Sequence, residues 1–242
     1  MELLESTRPY TKTGSAHPDF SDKTILAHKG FFNKESEKTY KENSAGVCKI
    51  SGARDEIGII ELDLRKSRDG ILYCYHGTPF EYLCGLKFPM DFSRIKLKYG
   101  VDTLREILGV IGRDKIIFLD IKDRRITKDD ILRAFGGRKF KEVILGNKSA
   151  SFLRRFGGMP GNFAKILNGN IFCGFYDLEK LARDGFKYFE VVFPFQVSAR
   201  LVERVRRAGM EFRCASLFFK NKESYWKKMA AYGITQVSSD FI

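Results

Sequence analysis

The residues of this sequence best suited to chemistry are three carboxylates and two histidines, each set at the end of an apolar run. Glu61 and Asp63 lie in GIIELDL (58–64). On a strand, side chains two residues apart share a face, so these two point the same way. Ile59, Ile60, Leu62 and Leu64 around them are apolar, and carboxylates in such a setting need a counter-charge. A hard divalent cation would supply one; so would a lysine or an arginine. Asp120 and Lys122 repeat the i, i+2 pattern in FLDIK (118–122). A third inward carboxylate adds repulsion that a cation relieves, which tips the expectation toward a metal held by Glu61, Asp63 and Asp120.

The chain has three histidines, at 17, 28 and 76. His28 closes TILAH (24–28). His76 closes ILYCYH (71–76), the second arm of a hairpin turned at Asp69-Gly70, which folds back beside Glu61 and Asp63. With oxygen ligands on a metal, both imidazoles stay free to move protons, and two of them beside an acidic site suit a general acid and a general base. Such a site fits phosphodiester cleavage. The cation neutralises non-bridging oxygens, Lys122 stabilises the transition state, one histidine takes a proton and the other gives one to the leaving alkoxide.

Those residues need strands that end together. Apolar runs at 24–28, 58–64, 115–121, 142–146, 163–167, 187–193, 210–217 and 235–239 alternate with helical patterns at 43–54, 101–111, 127–135, 149–156, 176–184, 198–208 and 222–231. Asn43 is the expected N-cap of the first of these helices, and Asp102 or Thr103 of the second. With the 71–76 arm set aside, eight strands alternating with helices argue a (β/α)8 barrel, in which the C-terminal strand ends carry the chemistry. Residues 1–22 lack periodicity and read as an N-terminal extension. Residues 23–242 read as a single domain with a short insertion at about 77–100. Trp226 reads as packing, and Phe218 and Phe219 as core or pocket-mouth residues at a strand end.

Composition narrows the class. A 43% hydrophobic chain of 242 residues with 22 Phe and 10 Tyr can bury a large core. No apolar run approaches the roughly 18–20 residues of a membrane span, and residues 1–20 lack the apolar stretch of a signal peptide, so the expected location is cytoplasmic. Five cysteines without a CxxC pair read as reduced, mostly buried thiols. The net charge of +13 suits anionic partners, including transient contact with an anionic membrane. No nucleic-acid recognition motif accompanies it, and nothing sets the oligomeric state.

In order along the chain, LAHKG (26–30), KENSAG (41–46), IIELDLRKSRDGILYCYH (59–76), VDTLREIL (101–108), FLDIK (118–122) and GITQVSSDFI (233–242) resemble the motifs of the glycerophosphodiester phosphodiesterase superfamily. The resemblance implies a (β/α)8 TIM barrel of the PLC-like phosphodiesterase type. It also implies one divalent cation, Mg2+ or Ca2+, on Glu61, Asp63 and Asp120, an acid/base pair of His28 and His76, and phosphate contact by Lys29 and Lys122. The substrate would be a small-molecule or lipid phosphodiester.

Departures from the pattern are informative. Lys29 stands where the family has Arg, which turns a bidentate grip into a point charge. Asp120 replaces a Glu and draws that ligand back by one methylene. YHGTPFEYLCG (75–85) with LDIK (119–122) is similar to the sphingomyelinase D/phospholipase D toxin branch, whose members release a cyclic phosphate. Two enzymatic outcomes therefore stand beside a non-enzymatic one, in which an inert barrel binds an anionic partner.

Overall fold

A computed structural model describes residues 24–77, 90–169, 176–191, 196–214, 229–234 and 236–238. The extension at 1–22, the loop at 78–89, the aromatics at 218, 219 and 226, and most of the helix expected at 222–231 lie outside those residues.

The strands are β1 (Thr24–Ala27), β2 (Ile57–Lys66), β3 (Leu72–Cys74), β4 (Ile116–Ile121), β5 (Glu142–Asn147), β6 (Phe163–Gly169), β7 (Phe186–Val191), β8 (Glu211–Cys214) and β9 (Gln236–Ser238). All but β3 run parallel in the order β8-β7-β6-β5-β4-β2-β1-β9, and β3 pairs antiparallel with β2 as the hairpin arm. β8 and β9, at the two ends of that order, approach one another, so the sheet curls into the barrel form. The helices are α1 (Lys34–Thr39), α2 (Ala45–Gly52), α3 (Phe92–Tyr99), α4 (Leu104–Leu108), α5 (Lys128–Phe135), α6 (Ala150–Arg154), α7 (Leu178–Arg183) and α8 (Ala199–Arg207). The alternation read from the sequence is therefore a (β/α)8 TIM barrel.

Strand alternation builds two cores. Ile60, Leu62, Leu64, Ile117 and Leu119 face outward and pack under Val47, Leu104, Ile107 and Ile131 of the helices. Leu26, Ile59, Phe118, Ile144, Ala164, Ile166 and Tyr188 face inward and plug the barrel. The plug depends on Gly146 of β5. A Cβ there would stand 2.5 Å from Phe118 Cε2 and 3.1 Å from Ile166 Cγ2, so a side chain would collide with the ring that fills the barrel.

Helix starts follow the hydroxyl caps in the sequence. Ser44, Thr103, Thr127, Ser149 and Ser198 each accept a backbone N–H of the first turn. One expectation is corrected here. Asn43 is not the cap of α2; Ser44 is, and Asn43 takes a left-handed φ of 56° and turns its amide toward β2. The thiols of Cys48 and Cys74 are free and buried, and burial pushes both well above their ordinary range. Among the described residues no helix is long and apolar enough to cross a membrane.

Gly146→Ala is expected to cost about 1–3 kcal/mol of stability, the usual penalty of overpacking, without changing the far-UV circular dichroism of the folded state. Urea denaturation measures it, and an unchanged midpoint would show that Phe118 is free to move.

Candidate active site

β2 and β4 bring the carboxylates together. Asp63 and Asp120 are directly paired in register, and Glu61 lies one inward position before Asp63. The candidate ligand oxygens of Glu61, Asp63 and Asp120 all lie within 4.8 Å of one another. Glu61 and Asp63 are 5% and 1% exposed, so this charge is held largely out of water.

Each carboxylate is supported differently. Asp63 accepts the Asn43 amide at 3.0 Å, and its backbone N–H donates to Asn43 Oδ1 at 2.9 Å. Lys122 Nζ lies 3.0 Å from Asp63 Oδ1 and also donates to Asp120 Oδ2. Burial pushes the Asp63 carboxyl up, but Lys122, His76 and Asn43 outweigh it and hold that group below its ordinary value. Asp120, desolvated and beside Asp63, is raised despite Lys122. Glu61 accepts the Lys29 backbone N–H at 2.7 Å. Burial, then the Asp63 charge, lifts its pKa from 4.5 to about 8. Lys122, desolvated but facing all three carboxylates, is held firmly protonated. Three carboxylates and one ammonium leave excess negative charge, which a hard cation with oxygen ligands would balance. The donor set fits such an ion.

His28 opens the short turn His28–Gly30 after β1, with Nε2 4.0 Å from Glu61 Oε2. The turn is tightly built. Lys29 and Gly30 both take positive φ, 54° and 83°, and a Cβ on Gly30 would meet Val47 Cγ1 at 2.7 Å. The Ser51 hydroxyl donates to the Gly30 carbonyl. His76 lies at the rim, just past β3. Buried Arg65 holds that arm, with Nε donating to the Tyr75 carbonyl at 2.7 Å and Nη2 to the His76 carbonyl at 2.6 Å. Partial burial lowers the His76 pKa, with Asp63 opposing and Lys29 and Lys122 reinforcing the shift. At neutral pH its imidazole is therefore mostly unprotonated and able to accept a proton.

Lys29 makes two contacts beside the cluster. Its ammonium pairs with Glu42 Oε2 at 3.1 Å, and its contact with the acidic cluster is made through the backbone. Two residues assigned no site role from the sequence shape the site: Asn43, as the hydrogen-bond partner of Asp63, and Arg65, as the clamp on the His76 arm. The signal for Arg65 was present in ELDLR (61–65), where it continues the inward i, i+2 series. Asn43 carried no such signal, since a neighbouring Asn-Ser pair offers two good caps.

No family model matches the chain, and no curated protein matches it. Solved structures do. A candidate glycerophosphodiester phosphodiesterase from Galdieria sulphuraria is 18% identical with a TM-score of 0.74, over 90% of this chain and 94% of that one. The glycerophosphodiester phosphodiesterase of Thermotoga maritima is 21% identical with a TM-score of 0.65, over the same shares. An Oleispira antarctica phosphodiesterase, solved with its product sn-glycerol-3-phosphate, is 17% identical with a TM-score of 0.69, over 90% and 93%. Over nine-tenths of its length, this chain has the barrel fold of the glycerophosphodiester phosphodiesterases.

Proposed function

We propose that the chain is a metal-dependent phosphodiesterase of the glycerophosphodiester phosphodiesterase superfamily, a phosphoric diester hydrolase acting on glycerol-type diesters. One observation carries it. Three carboxylates from the ends of two adjacent strands meet within 4.8 Å at the barrel mouth, with a histidine 4.0 Å from one of them. The fold shared with phosphodiesterases, one of them solved with sn-glycerol-3-phosphate, supports it.

Glu61, Asp63 and Asp120 would hold one Mg2+ or Ca2+. Bound there, the cation would supply neutralising charge to a phosphate's non-bridging oxygens. His76, kept below its ordinary pKa, is the general base that takes the proton of the attacking hydroxyl. His28, with Nε2 4.0 Å from Glu61 Oε2, is the general acid that returns a proton to the leaving alkoxide. Lys122, permanently charged, stabilises negative charge on the phosphoryl group, and Lys29 adds positive charge beside it. Asn43 orients Asp63, and Arg65 orients the His76 arm. The glycerol's own neighbouring hydroxyl would displace the alcohol and close a cyclic phosphate, and water, with the two histidines' roles reversed, would open that ring to glycerol 3-phosphate.

A second outcome, an inert barrel, has an observation in its favour: Lys122 already bridges Asp63 and Asp120. Turnover of glycerophosphocholine with Mg2+ or Ca2+ decides between the two. The expected products are glycerol 3-phosphate and choline, and a persistent cyclic phosphate would instead support the lipid phosphodiesterase alternative. His28→Ala and His76→Ala are each expected to lower kcat by about 10²–10⁴-fold, the usual weight of an acid or base, while leaving the melting temperature near that of the wild type. A wild-type protein inert toward every phosphodiester tried with these cations would overturn the assignment.

The cation's effect on stability has a pH sign. In cation-free protein the raised Glu61 pKa contributes stability that is fully present below 4.5 and is lost as pH rises through about 8. A cation must displace that proton, so the gain in melting temperature on adding Mg2+ or Ca2+ should be larger at pH 8 than at pH 6. Glu61→Gln should abolish the difference. Thermal unfolding with and without cation checks this, and an equal gain at both pH values would contradict it.

A further inference from the structure

The acidic cluster gathers where the chain leaves β2 and β4. Away from it, outside the sheet, a cavity of about 280 Å³ lies among the segments that lead into β6 and β7. Its volume is close to the lower end of the range for small-molecule sites. Leu145, Phe156, Met159 and Phe163 give it an apolar wall, and Lys165 and Arg183 line it with positive charge. Lys165 is out of keeping with its place. Ala164 and Ile166 on either side of it face the plug, so it faces outward, between Phe163 and Leu167 of the outer core. Half-buried there, its ammonium donates to the Asp184 carbonyl at the end of α7 and lies 5.0 Å from the centre of the Phe186 ring. That bond uses one of three ammonium hydrogens. Burial lowers the Lys165 pKa, with Asp184 opposing the shift and Arg154 reinforcing it.

Charge around the cavity is one-sided. Asp184 is the carboxylate among its lining residues, and Arg154 Nε already engages it at 2.6 Å. Lys128 donates to the carbonyl of Gly158, which also lines the cavity. Among the described residues, none of Lys128, Lys165 and Arg183 forms an ion pair with a carboxylate. An apolar wall beneath uncompensated cations suits a molecule with a compact apolar body and one anionic head. A neutral apolar molecule would leave the cations unsatisfied. A small inorganic anion would leave the apolar wall wet.

We propose that this cavity is a second ligand site, separate from the acidic cluster, for a small organic anion such as an aryl carboxylate. Lys165 and Arg183 hold the anionic head, and Met159 and Phe163 bear the apolar body. The site stands on its own lining and charge, independently of the phosphodiesterase assignment. Closing off the α7 end is the structural part that Lys165 plays already; its two remaining ammonium hydrogens and the exposed Arg183 are what the ligand takes up.

The test is methionine-methyl NMR of the full chain, titrated with benzoate, with benzyl alcohol, which lacks the charge, and with acetate, which lacks the ring. In the wild type benzoate should shift the Met159 methyl saturably and leave the other methionine methyls in place. Benzyl alcohol and acetate should each bind about tenfold more weakly than benzoate, since each forgoes one half of the site. Lys165→Met and Arg183→Gln should each weaken benzoate about tenfold, the weight of one charge-assisted hydrogen bond, with benzyl alcohol affinity unchanged. A structural role alone would lower the melting temperature of Lys165→Met without touching the benzoate response. If Lys165→Met fails to fold, Arg183→Gln, a change at an exposed position, decides alone. The site is overturned by a Met159 methyl that benzoate does not shift saturably, by benzyl alcohol or acetate binding as well as benzoate, or by a benzoate response that survives either substitution.

Discussion

Negative charge gathered in one poorly solvated place is the constraint on which the site depends. Glu61, Asp63 and Asp120 sit together at a barrel mouth with Lys122 as the cation between two of them. Burial first, and then the charge of Asp63, raises Glu61 to about 8, so the protein stores an electrostatic cost there. The surroundings are arranged around that cost. Asn43 abandons helix capping and adopts a left-handed backbone to give Asp63 two hydrogen bonds. The turn after β1 holds Lys29 and Gly30 at positive φ and aims the Lys29 N–H at Glu61. Such strained supports are expected where the folded structure over-determines a functional geometry.

The barrel explains why these groups can be held so close. Parallel strands in register place Asp63 beside Asp120 without any loop between them, so the spacing is fixed by the sheet. Beneath them the apolar plug around Phe118 excludes water from below, and Gly146 leaves room for that ring. The antiparallel arm, clamped by Arg65, brings a histidine to the rim that the eight parallel strands could not supply. Rigid elements thus set the carboxylates, while a turn and an arm set the two histidines, a division that suits a site needing both fixed charge and substrate access.

Much of this was legible in the sequence because the relevant information is local. The i, i+2 carboxylates on an apolar strand and the Asp-Gly hairpin are short-range patterns with a direct physical meaning. Helix extents were read too long: the pattern at 101–111 yields only Leu104–Leu108, since apolar periodicity continues past the last helical hydrogen bond. Asn43 was misread because its partner is twenty residues away and a good cap stands next to it. The pairing of Lys29 with Glu42 depends on how the turn folds, which no short-range pattern carries. The loop that divides the two family branches, after Gly77, lies outside the described residues and leaves that distinction to the products.

On the function proposed, one hard cation completes the carboxylate cluster. Anomalous diffraction from a crystal soaked in Mn2+, a scattering stand-in for Mg2+, tests it most directly. The account predicts a single strong anomalous peak bounded by oxygens of Glu61, Asp63 and Asp120. A soaked crystal without a peak there, in which Lys122 still bridges Asp63 and Asp120, would contradict it.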